Sequence, residues 1–434
     1  MNGTTATEIK SSSAKPGRLW QSGMMLSTAS FVVGLGNYAF QAIISRNFLG
    51  ESGEYGLANG ALKFVNLLSL PLAITTYAVT HYIARFSFTG DELSLHNLLA
   101  GCRRFLFRLT WGGSALAVLL VKPLAVFFHF PRPGLLLVVV GCVWAGLWGA
   151  FATALCQGLA WFKRLALIAL LTMCLRLAFG GLITLKFPTA EMVVLATGVG
   201  FLANLVLLRW RKDLARPSQH PESPWNREFV RFLIVSAACI GGGFCFTQGD
   251  MLVANRYFAA RERDAYAAAE LLAVALPMTV APLLTVLFTH RSGTHASDSL
   301  GEQFKLLGLY AVGLAAGATG LLLLRTVLLR ILARNTPETV EMIPPLVVTM
   351  FFAGLLQALA LWALASRWQR IALFYGGLGV AYWLTLLFLG RTPAELLTAM
   401  PWSVGVAFVL LFAAWWVALR AAGRSDSPAA ARKV

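Results

Sequence analysis

Charge is what this chain has least of. Only 13% of its 434 residues are Asp, Glu, Lys or Arg, while 58% are hydrophobic; soluble domains hold about a quarter charged residues. That balance excludes a soluble globular domain. Motifs for metal or disulfide chemistry are also missing. The six cysteines (Cys102, Cys142, Cys156, Cys174, Cys239, Cys245) lie in or beside apolar segments with no CxxC pair. They read as small buried hydrophobes, neither ligands nor a disulfide framework. The six histidines cluster at predicted loop ends without HExxH spacing, so no metal site is expected. Bases outnumber acids, 36 to 19, for a net charge of +17. In a soluble protein that excess points to nucleic acid. In a membrane protein it places Lys and Arg on cytoplasmic loops against anionic lipid, and no nucleic-acid partner is expected.

What the chain has in abundance is apolar runs of about 20 residues, the length that crosses a bilayer as a helix. The polar leader "MNGTTATEIKSSSAKPGR" is followed by an apolar run too long for a signal-peptide core. It lacks a small-residue cleavage site, so the first helix is read as uncleaved. Twelve spanning helices are predicted near 21–46, 57–86, 104–128, 135–160, 164–187, 190–210, 229–256, 264–289, 303–331, 342–366, 370–390 and 398–420. The connections are short except "RKDLARPSQHPESPWNRE" at 211–228, proline-rich, charged and central. The expected organisation is a tail over 1–20, a six-helix lobe over 21–210, the linker 211–228, a second six-helix lobe over 229–420 and a tail over 421–434.

Charge sets the expected orientation. With both termini inside, the inner segments hold 23 Lys and Arg and the outer segments 11, Lys63 and Arg176 lying within helices. The positive-inside rule then places both termini and the linker in the cytoplasm.

The halves echo each other. "RNFLGESGEYGLANGALKF" (46–64) parallels "NRYFAARERDAYAAAELLAV" (255–274), a polar elbow followed by a Tyr and small residues. Tyr55 and Tyr266 are 211 positions apart, as are Pro71 and Pro282. "LLVKPLAVFF" and "RLAL" recur as "LLLRTVLLRI" and "RIAL" in the same order. An even number of spans per half makes the repeats parallel, an arrangement in which transporters bind cargo between the halves. The fold expected is therefore an all-α polytopic membrane protein, two parallel-repeat six-helix bundles around a central cavity.

A charge within a membrane helix costs a few kcal/mol, so each needs a reason. Lys63, Arg176, Asp250 and Glu270 stand out. Asn59, Lys63 and Asn66 follow i, i+4, i+7 spacing and form one polar stripe. Ser30, Gly34, Asn37 and Gln41 form another, and Arg176 lies one turn from both Thr172 and Gly180. These stripes are expected to meet at a basic, hydrogen-bonding cavity. In the second half Asp250 shares a face with Gly243, Thr247 and Ala254, small residues that invite a neighbouring helix. Either Asp250 couples transport or it holds that interface. Glu270 occupies the repeat position of Asn59.

The hairpin "FQAIISRNFLGESGEYGLANGALKFVNLLSLPLAITTYAVTHYIARF" resembles the opening of the polysaccharide flippases of the multidrug/oligosaccharidyl-lipid/polysaccharide exporter superfamily. "TQGDMLVANRYF" with "DAYAAAELLAVALP" resembles the same family's helix 7 acid and its entry to helix 8, and "LCQGLAWFKRLAL" its turn between helices 4 and 5. The resemblance implies a transporter of the cell (inner) membrane, and no enzyme. Its expected action is to move a polyprenyl-diphosphate-linked saccharide across that membrane by alternating access, beside a polysaccharide polymerase and export machinery. Lys63 and Arg176 would then neutralise the diphosphate, and Asn37, Gln41, Asn59 and Asn66 would hold sugar hydroxyls. Asp250 or Glu270 would take a coupling proton or sodium ion, or pair with the bases in the empty state; no other cofactor is implied. The alternative is a cation-coupled drug or metabolite antiporter of the same superfamily, which calls for a site richer in acids and aromatics than in bases. A lipid-linked glycosyltransferase or polymerase would need a long acidic or histidine-bearing loop, which the chain lacks.

Overall fold

The computed structural model describes residues 16–48, 53–127, 130, 132–204, 227–293, 300–366 and 368–425. They form fourteen helices with no strand among the described residues. In the first half these are α1 (Pro16–Asn47), α2 (Glu54–Leu68), α3 (Leu70–Thr89), α4 (Glu92–Phe127), α5 (Pro133–Gly158), α6 (Phe162–Lys186) and α7 (Ala190–Leu202). The second half holds α8 (Arg227–Thr247), α9 (Gly249–Tyr257), α10 (Ala260–Gly293), α11 (Leu300–Ile331), α12 (Pro337–Ala365), α13 (Gln369–Leu389) and α14 (Pro393–Ser425). Among the described residues, seven of these helices are long and apolar enough to cross a membrane on their own.

Fourteen helices make twelve spans because two spans are interrupted. The predicted span 57–86 breaks at Ser69, between α2 and α3. Pro71 sits in the first turn of α3, where its missing N–H removes one rung of the ladder. The predicted span 229–256 breaks at Gln248, whose φ of −142° leaves the helical region. No proline causes this break. Trp383 of α13 donates its indole N–H to the carbonyl of Gly249, the first residue after the break, at 3.1 Å. Helix α4 begins at Glu92 instead of near 104, because Asp91 caps it by accepting from the Ser94 N–H at 3.0 Å. The predicted linker 211–228 lies outside the described residues up to 226, as do most of both predicted tails.

The packing within the first lobe recurs in the second, as a parallel duplication requires. Helix α1 packs on α6 as α8 packs on α13; α3 on α5 as α10 on α12; and α5 on α7 as α12 on α14. The lobes meet where α1 and α2 face α10, α2 faces α9, and α3 faces α8. We call the end where α1 begins and α14 finishes the terminal end, and the opposite end the far end.

Close helix approach depends on missing side chains. A Cβ on Gly379 would lie 2.5 Å from the Cα of Gly242, and one on Gly376 would lie 2.7 Å from the Cβ of Ala238. These contacts hold α13 against α8.

Candidate inter-lobe site

The polar stripe on α2 bonds to the second lobe through Lys63 and Asn66. Asn59, at its far-end start, is buried and bonds within the first lobe, accepting from Gln41 Nε2 at 3.1 Å and donating to the Tyr55 carbonyl at 2.9 Å. One turn on, Lys63 Nζ lies 2.6 Å from Glu270 Oε1 of α10, the side chains 12% and 2% exposed. Asn66 Nδ2 then donates to Gln248 Oε1 at 2.6 Å. Asn66 lies twelve residues into its span, about 18 Å along the axis and near the middle of a ~30 Å hydrocarbon core. Its side chain is nonetheless exposed.

Arg176 lies elsewhere. Its Nη1 donates to Asn37 Oδ1 at 3.0 Å, and its guanidinium stacks 4.3 Å from the centre of the Phe40 ring. Both partners are on α1, inside the first lobe. Its Nε and the Thr172 hydroxyl one turn away are buried without a hydrogen-bond partner among the described residues. The stripe of α1 thus joins Arg176 at Asn37 and the stripe of α2 at Asn59, while Lys63, one turn on, pairs with Glu270 of the other lobe. Ser30 falls outside the described side chains.

Asp250 does not pair with either base. It lies in the first turn of α9, is 1% exposed, and accepts from the Tyr266 hydroxyl at 2.6 Å through Oδ2. Its Oδ1 is buried without a partner among the described residues, as are the hydroxyls of Tyr375 and Tyr382 and the side-chain amide of Asn255. Its partner Tyr266 meets Phe258 edge-on at 5.6 Å, and Phe246 packs 5.0 Å from Tyr382 and 5.5 Å from Tyr375. The face shared with Gly243 and Thr247 is lost at the break, and Gly243 approaches the Tyr375 hydroxyl instead. Lys63, Glu270 and Asp250 lie within electrostatic reach of one another.

Sequence patterns did not point to a set of contacts at the far end. Arg334 follows α11 and reaches into both lobes. Its Nη1 donates to Asp264 Oδ2 at 3.3 Å, its Nε to Ser45 Oγ at 3.2 Å, and its Nη2 to the Phe48 carbonyl at 2.9 Å. Asp264, on α10, accepts the Gly56 N–H of α2 at 2.7 Å. Arg263 donates to the Gly53 carbonyl at 3.1 Å. Gly53 has a φ of 70°, left-handed backbone that favours glycine. Three donors of α1 complete the seam: Tyr38 to the Leu328 carbonyl at 2.6 Å, Ser45 to that of Leu332 at 2.6 Å, and Arg46 to that of Ile331 at 3.1 Å. Loop charges look alike in a sequence. The sign available was the pair of repeated elbows at 46–64 and 255–274, which these bonds join.

No protein-family model and no curated protein matches the chain. Solved structures do. The MATE multidrug transporter DinF-BH, solved as a complex, aligns with a TM-score of 0.70 at 13% identity, covering 96% of this chain and 98% of its own. An outward-facing multidrug resistance MATE family transporter of the MOP superfamily aligns at 0.62 and 13%, covering 96% and 98%. A MOP superfamily transporter from Pyrococcus furiosus, described by the reverse polarity of its binding pocket, aligns at 0.60 and 13%, covering 92% and 96%. Similarity at this identity speaks to fold, and it does not single out the polysaccharide branch. The chain has the twelve-helix, two-lobe fold of the MATE transporters.

Proposed function

We propose that the chain is a cation-coupled transporter of drug- or metabolite-class small molecules, working by alternating access between its two lobes. The observation that carries this is the Lys63–Glu270 pair across the lobe interface, 2.6 Å long and almost wholly buried. An ion pair removed from water is held only while both partners stay together. Separating the lobes leaves two buried charges, so the motion requires that something else neutralise them. A coupling cation on Glu270 or Asp250 is one such partner and cargo at Lys63 is another. A ligand shifts such an equilibrium only by binding one state better.

The choice of cargo class rests on which charges are already satisfied. Lys63 is neutralised by Glu270 and does not await a diphosphate. Asp250, a buried acid without a basic hydrogen-bond partner among the described residues, accepts from the Tyr266 hydroxyl and keeps its other oxygen unpartnered among them, a setting that suits a proton or a small coupling cation. The far-end seam holds the lobes together there. With the termini in the cytoplasm, as the charge distribution favours, that closed seam lies on the outer side of the membrane.

The second reading, a flippase for a polyprenyl-diphosphate-linked saccharide, is favoured by Arg176, which bonds to Asn37 and stacks on Phe40 with no carboxylate partner among the described residues. Proteoliposomes separate the two. With the full chain reconstituted, an imposed proton or sodium gradient is expected to drive accumulation of a cationic dye of the rhodamine class. Gradient-independent movement of a lipid-linked saccharide, with no dye accumulation under either gradient, would overturn the antiporter in favour of the flippase.

A further inference from the structure

Helix α4 has 36 residues, about 54 Å at 1.5 Å per residue, so well over a third of it lies outside a ~30 Å hydrocarbon core. It packs against α3 and α5, and only 17% of its most apolar 18-residue stretch is buried. Its other side is turned to lipid. On that side Arg104, Phe107, Arg108 and Trp111 follow i, i+3, i+4, i+7 spacing and are all exposed, and Arg103 adjoins them. Toward the membrane interior the same side continues as Ala115 and Leu119, both exposed. Phe107 and Trp111 pack edge to face at 6.3 Å.

Two like charges one turn apart repel and destabilise a helix. Here they face out with no acidic partner among the described residues; Arg104 reaches only its own helix, through Nε to the Ala100 carbonyl at 3.4 Å. An anion between them would remove the repulsion, and guanidinium groups fit phosphate through paired N–H donors. Aromatic rings beside them are the side chains that settle at headgroup depth, and the apolar continuation offers a track for an acyl chain. We propose that this stripe is a binding site for the headgroup of an anionic phospholipid in the leaflet at the terminal end, the phosphate held by Arg104 and Arg108 with Arg103 beside them. The partner is a lipid because the cations run straight into an exposed apolar track, which a free phosphate would not use.

Native mass spectrometry of the purified full chain, titrated with phosphatidylglycerol or phosphatidylcholine, tests this. The wild type is expected to bind phosphatidylglycerol more tightly than phosphatidylcholine. Each basic residue near an anionic surface contributes enough that the R104Q/R108Q variant should lose about thirty-fold in phosphatidylglycerol affinity, and each single variant about fivefold. Phosphatidylcholine binding should not change. The far-end variant R330Q/R391Q, which alters two exposed arginines at the other end, should bind phosphatidylglycerol as the wild type does. Equal phosphatidylglycerol affinity in the wild type and R104Q/R108Q would overturn the proposal. So would an equal loss in R330Q/R391Q, or displacement of the lipid by millimolar inorganic phosphate, which would mark a free-anion site.

Discussion

Asn66 and Gln248 join the two interrupted spans at their interruptions: Nδ2 of the first donates to Oε1 of the second at 2.6 Å, three residues before the break at Ser69 and at the break itself. The far-end segments thereby cut free, α2 and α9, pack on each other across the lobe boundary. They carry Lys63 and Asp250 between them. A helix end can swing where the ladder is broken, and a bond between the two breaks makes the far-end halves move together. This places the charged residues on the parts of the spans best able to change position without disturbing the lobes.

Truncating either member of the Lys63–Glu270 pair leaves a buried charge alone and should cost about 3–5 kcal/mol. K63M and E270L are each expected to lower the melting temperature in detergent and abolish transport. The double variant K63M/E270L should regain stability without regaining transport, because packing tolerates the loss of both charges while coupling does not. Recovery of transport in the double variant would show that the pair serves only to hold the helices.

The far-end seam depends on Arg334 more than on any other side chain named in it, since it bonds to Ser45, Phe48 and Asp264 at once. Charge-assisted bonds contribute roughly 1.5–3 kcal/mol each. R334A should therefore shift the lobes toward opening at the far end and raise amide exchange in the segment from Gly53 to Gly60 at least tenfold. The Gly56 amide, bonded to Asp264, is the reporter. R334K, which keeps the charge but not the fork, should fall between. Exchange unchanged in R334A would mean that the seam is not what closes this end.

The spans were legible because hydropathy reports whether a segment sits in lipid, and every predicted span has a helix at its place. The stripe Asn59–Lys63–Asn66 was legible too, because helical spacing fixes a shared face. What it faced was not, since spacing on one helix says nothing about the helix opposite. Lys63 meets Glu270 from 207 residues away, a partner that periodicity cannot select. The break at Ser69 had a sign in Pro71; the break at Gln248 had none, and the Trp383 indole that bonds beside it comes from another helix. Arg334 stayed hidden for the same reason, its two first-lobe contacts lying 286 and 289 positions away.

The contact between α8 and α13 should reject any side chain at Gly379. A Cβ there would lie 2.5 Å from the Gly242 Cα and 2.9 Å from its carbonyl oxygen, backbone atoms that cannot step aside. G379A is expected to cost about 1–3 kcal/mol by overpacking, and G379L to prevent recovery of folded protein. Gly377, two residues earlier, is the control, since a Cβ added there would meet nothing within 4 Å among the described residues. G377A should be neutral or stabilise by up to about 1 kcal/mol through helix propensity. Melting curves that rank the two alanine variants the other way would contradict the packing described.

Asp250 separates coupling from structure more cleanly than any other residue, because its side-chain hydrogen-bond partner, Tyr266, is neutral. D250N keeps the shape and still accepts from the Tyr266 hydroxyl, so its melting temperature should stay close to that of the wild type. An amide cannot bind or release a proton, and it attracts a cation far less than a carboxylate does. D250N is therefore expected to lose gradient-driven accumulation of cargo while still allowing its passive equilibration across proteoliposomes. Y266F removes the donor but keeps the acid, so it should retain accumulation with a changed dependence on the coupling-ion concentration. If D250N accumulates cargo as the wild type does, Asp250 is an interface residue, and the coupling charge must be sought at Glu270, whose release from Lys63 would then be the carboxylate exchange left to the inter-lobe site.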